Sequence, residues 1–245
     1  MRVEVSGLEP DLKQFLDQLD RELDADGVSV LRHPALRELA AGTLPIDGLR
    51  NWAGQFYHCI RNSARSFGVV FVNLPDEDLD LRRSLAANIF EEDAGGISGT
   101  DNHNELFLGF AQAIGLSREA ILATPRGPEA AALMGDFEVR RMSRDEALEW
   151  LCIRGVGMER ANARISDAMA KALRKHYELT AFGTRFFDVH VEIDEDHGEF
   201  AHTVLRRFAT SAERRASLLE KIVAGARLFY RVWDTALRTT PLPTL

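Results

Sequence analysis

The sequence predicts an all-α protein made of a single domain. Apolar residues recur with a period near 3.6 along almost the whole chain, and no stretch alternates convincingly with period two. No internal repeat, low-complexity tract or linker divides the 245 residues, 45% of which are hydrophobic. A chain of this length and composition can bury a sizeable core. We therefore expect one helical domain over residues 1–245.

The apolar pattern and the positions of Pro and Gly predict nine helices. These run at about 9–24, 33–42, 46–73, 77–93, 102–115, 128–142, 144–177, 182–208 and 211–238. Pro45 precedes the third helix, and Pro75 lies just beyond its end. Ser143 and Glu146 have the spacing of a capping box, so the long seventh helix is predicted to begin there.

The one long irregular stretch is DAGGISGTDNH at 93–103. Its three glycines, Gly95, Gly96 and Gly99, would let the backbone turn sharply between two helices. A glycine-rich loop could also bind phosphate. This one contains no Lys and follows no predicted strand, so the sequence supports that interpretation only weakly.

Charge and cysteine content exclude several classes of protein. A formal net charge of −8 and a pI near 5.4 argue against nucleic acid or an anionic membrane as the main partner. No apolar run reaches the roughly 18 residues that span a bilayer, and the N-terminal segment lacks the apolar core of a signal peptide. A cytoplasmic location is expected. Cys59 and Cys152 are too few for a disulfide framework or a cysteine zinc site.

The most informative pattern is formed by His190, Asp194 and His197. On a helix, positions i, i+4 and i+7 share one stripe, so two imidazoles and a carboxylate would project the same way. A single His on a helix is more often a core or surface residue, but three residues at ligand spacing favour a metal site. Nitrogen and oxygen ligands inside an apolar bundle suit a redox-active non-haem metal better than a structural zinc.

Further candidate ligands come from two earlier segments. Glu159 has three small neighbours on its stripe, which would leave room for an ion and a substrate: Gly155, Ala163 and Ser166. Glu92 and His103 flank the glycine-rich stretch, although Glu91 and Glu92 could simply form a solvated helix end. Ferritin-type bundles carry paired Glu-x-x-His motifs on two helices. The chain lacks such a pair, so a ferritin-like bundle is disfavoured.

The whole arrangement resembles the haem-oxygenase-like diiron oxidases and oxygenases, which share a superfamily with the thiaminase TenA and the quinone-cofactor oxidase PqqC. The resemblance begins with HPALRELAAGTLPIDGLRNWAGQFYH and continues through NIFEEDAGG and NHNELFLGFAQAIGL. It then takes in the segment that bears Glu159 and ends with the His-x-x-x-Asp-x-x-His triplet. The opening is shared with metal-free relatives, whereas the set of Glu and His residues is much more specific.

The resemblance implies a haem-oxygenase-like helical bundle with two Fe2+ ions, manganese being an option at one site, and O2 as co-substrate. The implied metal ligands, which would also be the catalytic residues, are Glu92, His103, Glu159, His190, Asp194 and His197. Because the loop before His103 varies in length in the family, Glu91 could take the role of Glu92. Asp188 or Glu195 could hold the imidazole tautomers.

By the same resemblance, a peroxo intermediate on the two irons would N-oxygenate, desaturate or cleave a small metabolite, often one derived from an amino acid or a fatty acid. The family also favours a homodimer. Four side chains could reach a carboxylate or an amine of the substrate: Gln55, Tyr57, Arg61 and Arg154. A structural role, such as that of a surface arginine or a core tyrosine, is equally compatible with each of them.

Two alternatives belong to other functional classes. A metal-free enzyme of the TenA or PqqC type, acting on a small heterocycle, could use Cys152 as a nucleophile if a neighbour lowered its pKa. A non-catalytic helical module that binds a partner or ligand would bury the acidic and imidazole side chains without an ion. Such burial is electrostatically costly.

Overall fold

The computed structural model describes residues 10–134 and 141–238, and for residues 192–199 it describes the backbone only. These residues form twelve α-helices and no strand, which confirms the all-α prediction. The helices are α1 (Pro10–Leu23), α2 (Pro34–Ala41), α3 (Ile46–Ile60), α4 (Ser63–Asn73), α5 (Leu79–Ala94), α6 (His103–Ala113), α7 (Arg118–Ala123), α8 (Pro128–Met134), α9 (Arg144–Leu151), α10 (Asn162–His176), α11 (Ala181–Phe208) and α12 (Ala212–Trp233). No helix in the described ranges has the length and apolar composition needed to cross a bilayer.

Local sequence signals set several helix ends. His33 caps α2, because its Nδ1 accepts a hydrogen bond from the backbone N–H of Ala35, and Pro34 occupies the first turn. Gly42 ends α2 with a φ of 73°, a left-handed conformation that favours glycine. The predicted capping box of Ser143 and Glu146 is present at the start of α9.

The buried apolar side chains form two clusters. The first cluster lies around Trp52, Phe107, Phe187 and Trp233 and is rich in tilted and edge-to-face ring contacts. The second cluster involves α1, α5, α9, the C-terminal part of α11 and α12. Helix α11 packs against both α10 and α6, and it contributes side chains to both clusters.

The third predicted helix is wrong in one respect, since it divides into α3 and α4 at residues 61–62. The side-chain amide of Asn62 donates to the carbonyl of His58 over 3.0 Å. Its backbone N–H points instead to the carbonyl of Cys59, at 3.4 Å. A side chain that competes for a helical carbonyl in this way interrupts regular α-helix.

The seventh predicted helix is also interrupted. A π-helical turn at Cys152–Val156 follows α9, and a 3-10 turn at Glu159–Ala161 precedes α10. A Cβ added at Gly155 would lie 2.3 Å from Cβ of Ala201. This close approach of α11 requires glycine. Helix α7 was not predicted from the sequence, and residues 135–140 of the sixth predicted helix lie outside the described part of the chain.

Candidate metal centre

A cavity of about 100 Å3, here called the site cavity, lies where the two apolar clusters meet. Its apolar wall includes Phe56, Trp150 and Phe229. Its polar wall consists of Ser63, Glu92, Arg154, Glu159, Asn162 and His190. The interruption of the seventh predicted helix places Arg154 and Glu159 on the same wall, and π-helical turns are frequent at functional sites.

Glu92 and His103 form the first pair at this site. Oε2 of Glu92 lies 3.0 Å from Nδ1 of His103, which is buried and has no hydrogen-bond partner of good geometry. The hydroxyl of Ser63 donates to Oε1 of Glu92 over 2.7 Å. Burial alone would raise the pKa of Glu92, but His103, together with Arg154 and Ser63, lowers the pKa to about 2. Glu92 is therefore an anion at neutral pH.

Glu91 contacts the opposite ring nitrogen of His103, Nε2, and is fully buried. Its Oε2 accepts hydrogen bonds from the backbone N–H groups of Ile97 and Ser98, at 2.7 and 2.9 Å. Its Oε1 accepts from Nε2 of His103 at 3.3 Å. Burial raises the pKa of Glu91, but the bonds from Ser98, Ile97 and His103 outweigh that effect and lower it. The glycine-rich loop thus binds an internal carboxylate, and neither Glu91 nor Glu92 is a solvated helix end.

His190 presents a defined tautomer. Its Nδ1 lies 2.7 Å from the carbonyl oxygen of Phe186, and because a carbonyl only accepts, Nδ1 carries the hydrogen. The lone pair of a neutral ring then lies on Nε2, as a metal ligand requires. The rings of His103 and His190 are 4.6 Å apart. Asp188, which was expected to hold a tautomer, instead bonds to Arg174 and Thr184.

Arg154 connects the two glutamates on the cavity wall. Its Nε donates to Oε1 of Glu159 over 2.8 Å, and its Nη2 donates to Oγ of Ser63 over 2.6 Å. Ser63 in turn donates to Glu92. Sequence reasoning did not include Ser63 in the site, since nothing in its own helix marks it.

The structure brings together four of the six predicted metal ligands. Glu92, Glu159 and His190 line the site cavity. His103 is not among the residues that line it, but it contacts Glu92. The side chains of Asp194 and His197 lie outside the described residues, as does that of Glu195. Gly155 was expected to leave room for an ion beside Glu159. That expectation was wrong, because Gly155 makes room for helix α11 instead.

Of the four side chains predicted to contact the substrate, Arg154 lines the site cavity and the other three do not. Gln55 instead binds the carbonyl of Pro125 and the N–H of Gly127. Tyr57 belongs to the first apolar cluster, and Arg61 is exposed.

The donor atoms suit a non-haem iron. Two carboxylates, of Glu92 and Glu159, and two imidazoles, of His103 and His190, supply the oxygen and nitrogen ligands that such iron prefers. Within the described residues no three His, Cys, Asp or Glu side chains converge closely enough to hold an ion as they stand. Glu159 is engaged by Arg154 instead, so it would have to share or exchange that partner to bind a metal.

Neither cysteine is activated. Cys152 is fully buried, and burial raises its pKa to about 12. Cys59 lines the site cavity, yet burial also raises its pKa to about 12. A thiol with such a pKa is protonated at neutral pH and is a poor nucleophile.

Solved structures with similar folds support the haem-oxygenase-like assignment. A TenA homologue from Pseudomonas syringae superposes with a TM-score of 0.71 at 15% identity, covering 91% of this chain and 92% of that one. A domain from Shewanella denitrificans with a heme oxygenase-like fold gives a TM-score of 0.66 at 19% identity, with 95% and 93% covered. At these identities the likeness establishes the fold alone.

Sequence comparisons give two relatives of similar length and one matching family. A 4-aminobenzoate synthase from Nitrosomonas europaea is 24% identical over 202 residues, which is 78% of this chain and 78% of that protein. A 4-aminobenzoate synthase from Chlamydia pneumoniae is 23% identical over 190 residues, or 76% and 79%. The model of a family described as iron-containing redox enzymes matches residues 50–234, a range that includes every candidate metal ligand. The chain therefore belongs to this family of iron-containing redox enzymes with a haem-oxygenase-like fold.

Proposed function

We propose that this protein is a non-haem dinuclear iron oxidase or oxygenase that uses O2 to oxidise a small metabolite derived from an amino acid. One observation carries the proposal. Glu92, Glu159 and His190 reach the wall of one cavity from three separate segments, and Nδ1 of His103 lies 3.0 Å from Oε2 of Glu92. Carboxylates and imidazoles that converge on one cavity supply the oxygen and nitrogen donors of a non-haem iron site.

The metal ligands in this proposal are Glu92, His103, Glu159, His190, Asp194 and His197. Two iron ions, or one iron and one manganese, would supply the electrons that reduce O2. The two carboxylates in the described part of the set offset cationic charge, and the two imidazoles supply neutral donors.

The protein itself performs three tasks around these ligands. The carbonyl of Phe186 holds His190 with Nε2 free, and Glu91 orients His103 through its Nε2–H. Arg154 neutralises Glu159 in the metal-free protein. The aromatic wall of Phe56, Trp150 and Phe229 limits the water that reaches the reacting groups.

The substrate class follows from the size of the site and from the relatives. A cavity of about 100 Å3 suits a molecule of the size of one ring or a short chain. The relatives in Nitrosomonas and Chlamydia are named for a small aromatic amino acid, 4-aminobenzoate. Oxidation of a small amino-acid-derived compound by N-oxygenation, desaturation or C–C cleavage fits both.

A metal-free enzyme of the TenA type is the second candidate, because the fold matches a TenA homologue. It requires another nucleophile than Cys152, whose thiol is buried and protonated at neutral pH. It also gives no reason for Glu92, Glu159 and His190 to line one cavity. The iron proposal accounts for both observations.

Anaerobic loading with Fe2+ followed by O2 exposure tests the proposal. We expect two metal ions per chain by elemental analysis, uptake of O2 and a transient visible absorption band. His190→Ala and Glu159→Gln should lose metal and O2 uptake. The matched changes His176→Ala and Glu149→Gln, at an exposed His and in a surface ion pair with Lys221, should keep both.

Two outcomes would count against the proposal: a protein that binds no iron under these conditions, or one that turns over a substrate after complete iron removal. The homodimer and the cytoplasmic location stay predictions. Light scattering of the purified protein and fractionation of cells test them separately.

A further inference from the structure

Within the described part of the chain, Arg154 has hydrogen-bonding capacity that its partners do not use. Among the residues that the structure describes, it is the one Lys or Arg on the wall of the site cavity. A guanidinium carries five N–H donors. One binds Glu159 and one binds Ser63, which leaves three.

The position of this guanidinium is fixed. Its central carbon lies 4.7 Å from the ring centre of Phe67 and 5.7 Å from that of Trp150. Only 15% of the side chain is exposed. An arginine that is already desolvated and held between rings and hydrogen bonds loses little entropy when it binds a further anion. Within the described residues, the remaining donors make no hydrogen bond to Glu92 or to the second carboxylate oxygen of Glu159.

Phe229 separates the site cavity from two smaller cavities. One, of about 40 Å3, is lined by Val28, Met158 and Ile165 among others, and one, of about 30 Å3, by Trp52, Phe187 and His190 among others. Phe229 belongs to the walls of all three cavities. Its ring centre lies 6.0 Å from that of Phe56, and only 8% of the residue is exposed. Because Phe229 is the residue that the three walls have in common, we expect that shortening its side chain enlarges the space open to a ligand in the site cavity.

These observations define an anionic end and an apolar end for a ligand. The site cavity, of about 100 Å3, is of the same order as the roughly 150 Å3 apolar cavity that accepts benzene, so one ring is close to the largest apolar body that it can hold. A carboxylate on Arg154 would direct its apolar body towards Phe56 and Phe229. A longer body would collide with Phe229.

We propose that the substrate is a small carboxylate whose anionic group binds Arg154, and that Phe229 sets the size limit of its apolar part. This inference deepens the proposed function and rests on it for the identity of the ligand as substrate. The binding itself depends only on residues of this chain and can be measured without turnover.

Calorimetry with benzoate tests the anionic end. It is carried out on metal-free protein and on anaerobic Fe2+-loaded protein. Neutral benzamide and cationic benzylamine should bind at least about tenfold more weakly than benzoate. Arg154→Leu should weaken benzoate binding about ten- to a hundredfold, because a hydrogen bond to a charged group is lost, and Arg154→Lys should restore part of it. Arg214→Leu is the matched control, since Arg214 also pairs with an acid, Asp145, and lies over a ring, that of Phe208.

A series of longer acids tests the size limit. Wild-type protein should bind benzoate better than 4-phenylbutyrate, and Phe229→Ala should shift the ratio of the two affinities by about tenfold or more towards the longer acid. Phe229→Leu provides a second, less disruptive variant that should shift the ratio in the same direction. Phe15→Ala and Phe15→Leu are the matched controls, because Phe15 is 6% exposed and belongs to the second apolar cluster but lines none of the three cavities.

The results separate this inference from the proposed function. If iron binds and O2 is consumed while Arg154→Leu leaves benzoate affinity unchanged, or while both Phe229 variants keep the wild-type preference, the inference is wrong and the function stands. Tighter binding of benzylamine than benzoate would also overturn it. If iron does not bind but benzoate binds with the expected dependence on Arg154 and Phe229, the iron proposal fails and the carboxylate site stands.

Discussion

The carboxylate of Glu91 accepts a hydrogen bond from Nε2 of His103 at 3.3 Å, and this contact turns Nδ1 of the imidazole towards Glu92. Glu91 is itself held by two backbone N–H groups of the glycine-rich loop. The loop, a buried carboxylate and an imidazole therefore form one chain of contacts that ends at the candidate metal centre. Such carboxylate–histidine pairs commonly orient a metal ligand and raise its basicity.

We predict that Glu91→Gln weakens Fe2+ binding by about 10- to 100-fold, the usual cost of losing a carboxylate behind a ligating histidine. Anaerobic competition with a chelator measures the dissociation constant. Glu105→Gln, which removes only an exposed ion pair with Arg118, should leave it unchanged. Loss of one whole metal ion from the stoichiometry would instead identify Glu91 as a ligand, and an unchanged affinity would refute its orienting role.

We predict that Cys152→Ala leaves iron content and O2 uptake unchanged. The thiol is fully buried, and its pKa is raised to about 12, so it is neither a ligand nor a nucleophile at neutral pH. Elemental analysis and an oxygen electrode provide the measurement, with His190→Ala as the variant that should lose both. Abolished activity in a correctly folded Cys152→Ala protein would revive the metal-free alternative.

Two glycine substitutions should change stability in opposite directions. At Gly155 a new Cβ would lie 2.3 Å from Cβ of Ala201, so Gly155→Ala should lower the free energy of unfolding by about 1–3 kcal/mol. At Gly68, within helix α4, a new Cβ meets nothing within 4 Å. Gly68→Ala should therefore raise the free energy of unfolding by about 0.4–1 kcal/mol. Urea denaturation measures both, and a neutral Gly155→Ala would show that the π-helical turn does not depend on this close contact.

The fold was predictable because most of the helices show their own apolar period in the sequence, and that period does not depend on which helices become neighbours. The interruptions of the third and seventh predicted helices were harder to predict from the sequence. One depends on Ala201, whose approach requires glycine at 155, and the other on an amide of Asn62 that competes for the carbonyl of His58. Such contacts arise only when the chain has folded, so periodicity alone predicts a longer helix in both places.

The residues of the site were predictable to a similar degree. His190 is marked by its spacing to Asp194 and His197, and Glu92 and Glu159 by residue type and the family resemblance; all three reach the site cavity. The sequence could not distinguish Glu91 from Glu92, because adjacent helical residues point about 100° apart and the rotation of α5 decides which one faces the cavity. Ser63 could not be found at all, since its role depends on contacts with two other segments.

The last prediction concerns stability at low pH in the metal-free protein. Burial lowers the pKa of His58 below its ordinary value of 6.5, although the hydrogen bond from its Nε2 to the carbonyl of Thr124 acts in the opposite direction. The unfolded chain then binds more protons at this residue than the folded chain does. The contribution of His58 to stability is therefore present above about pH 6.5 and declines as the pH falls below that value.

His58→Gln keeps a donor near Thr124 but cannot titrate. Its free energy of unfolding should therefore fall less between pH 7 and pH 5 than that of the wild type. His103, whose raised pKa has the opposite effect, is unchanged in both proteins and cancels in the comparison. Urea titrations at several pH values measure the difference, with His176→Gln as the exposed control. Parallel pH profiles for His58→Gln and wild type would contradict the prediction.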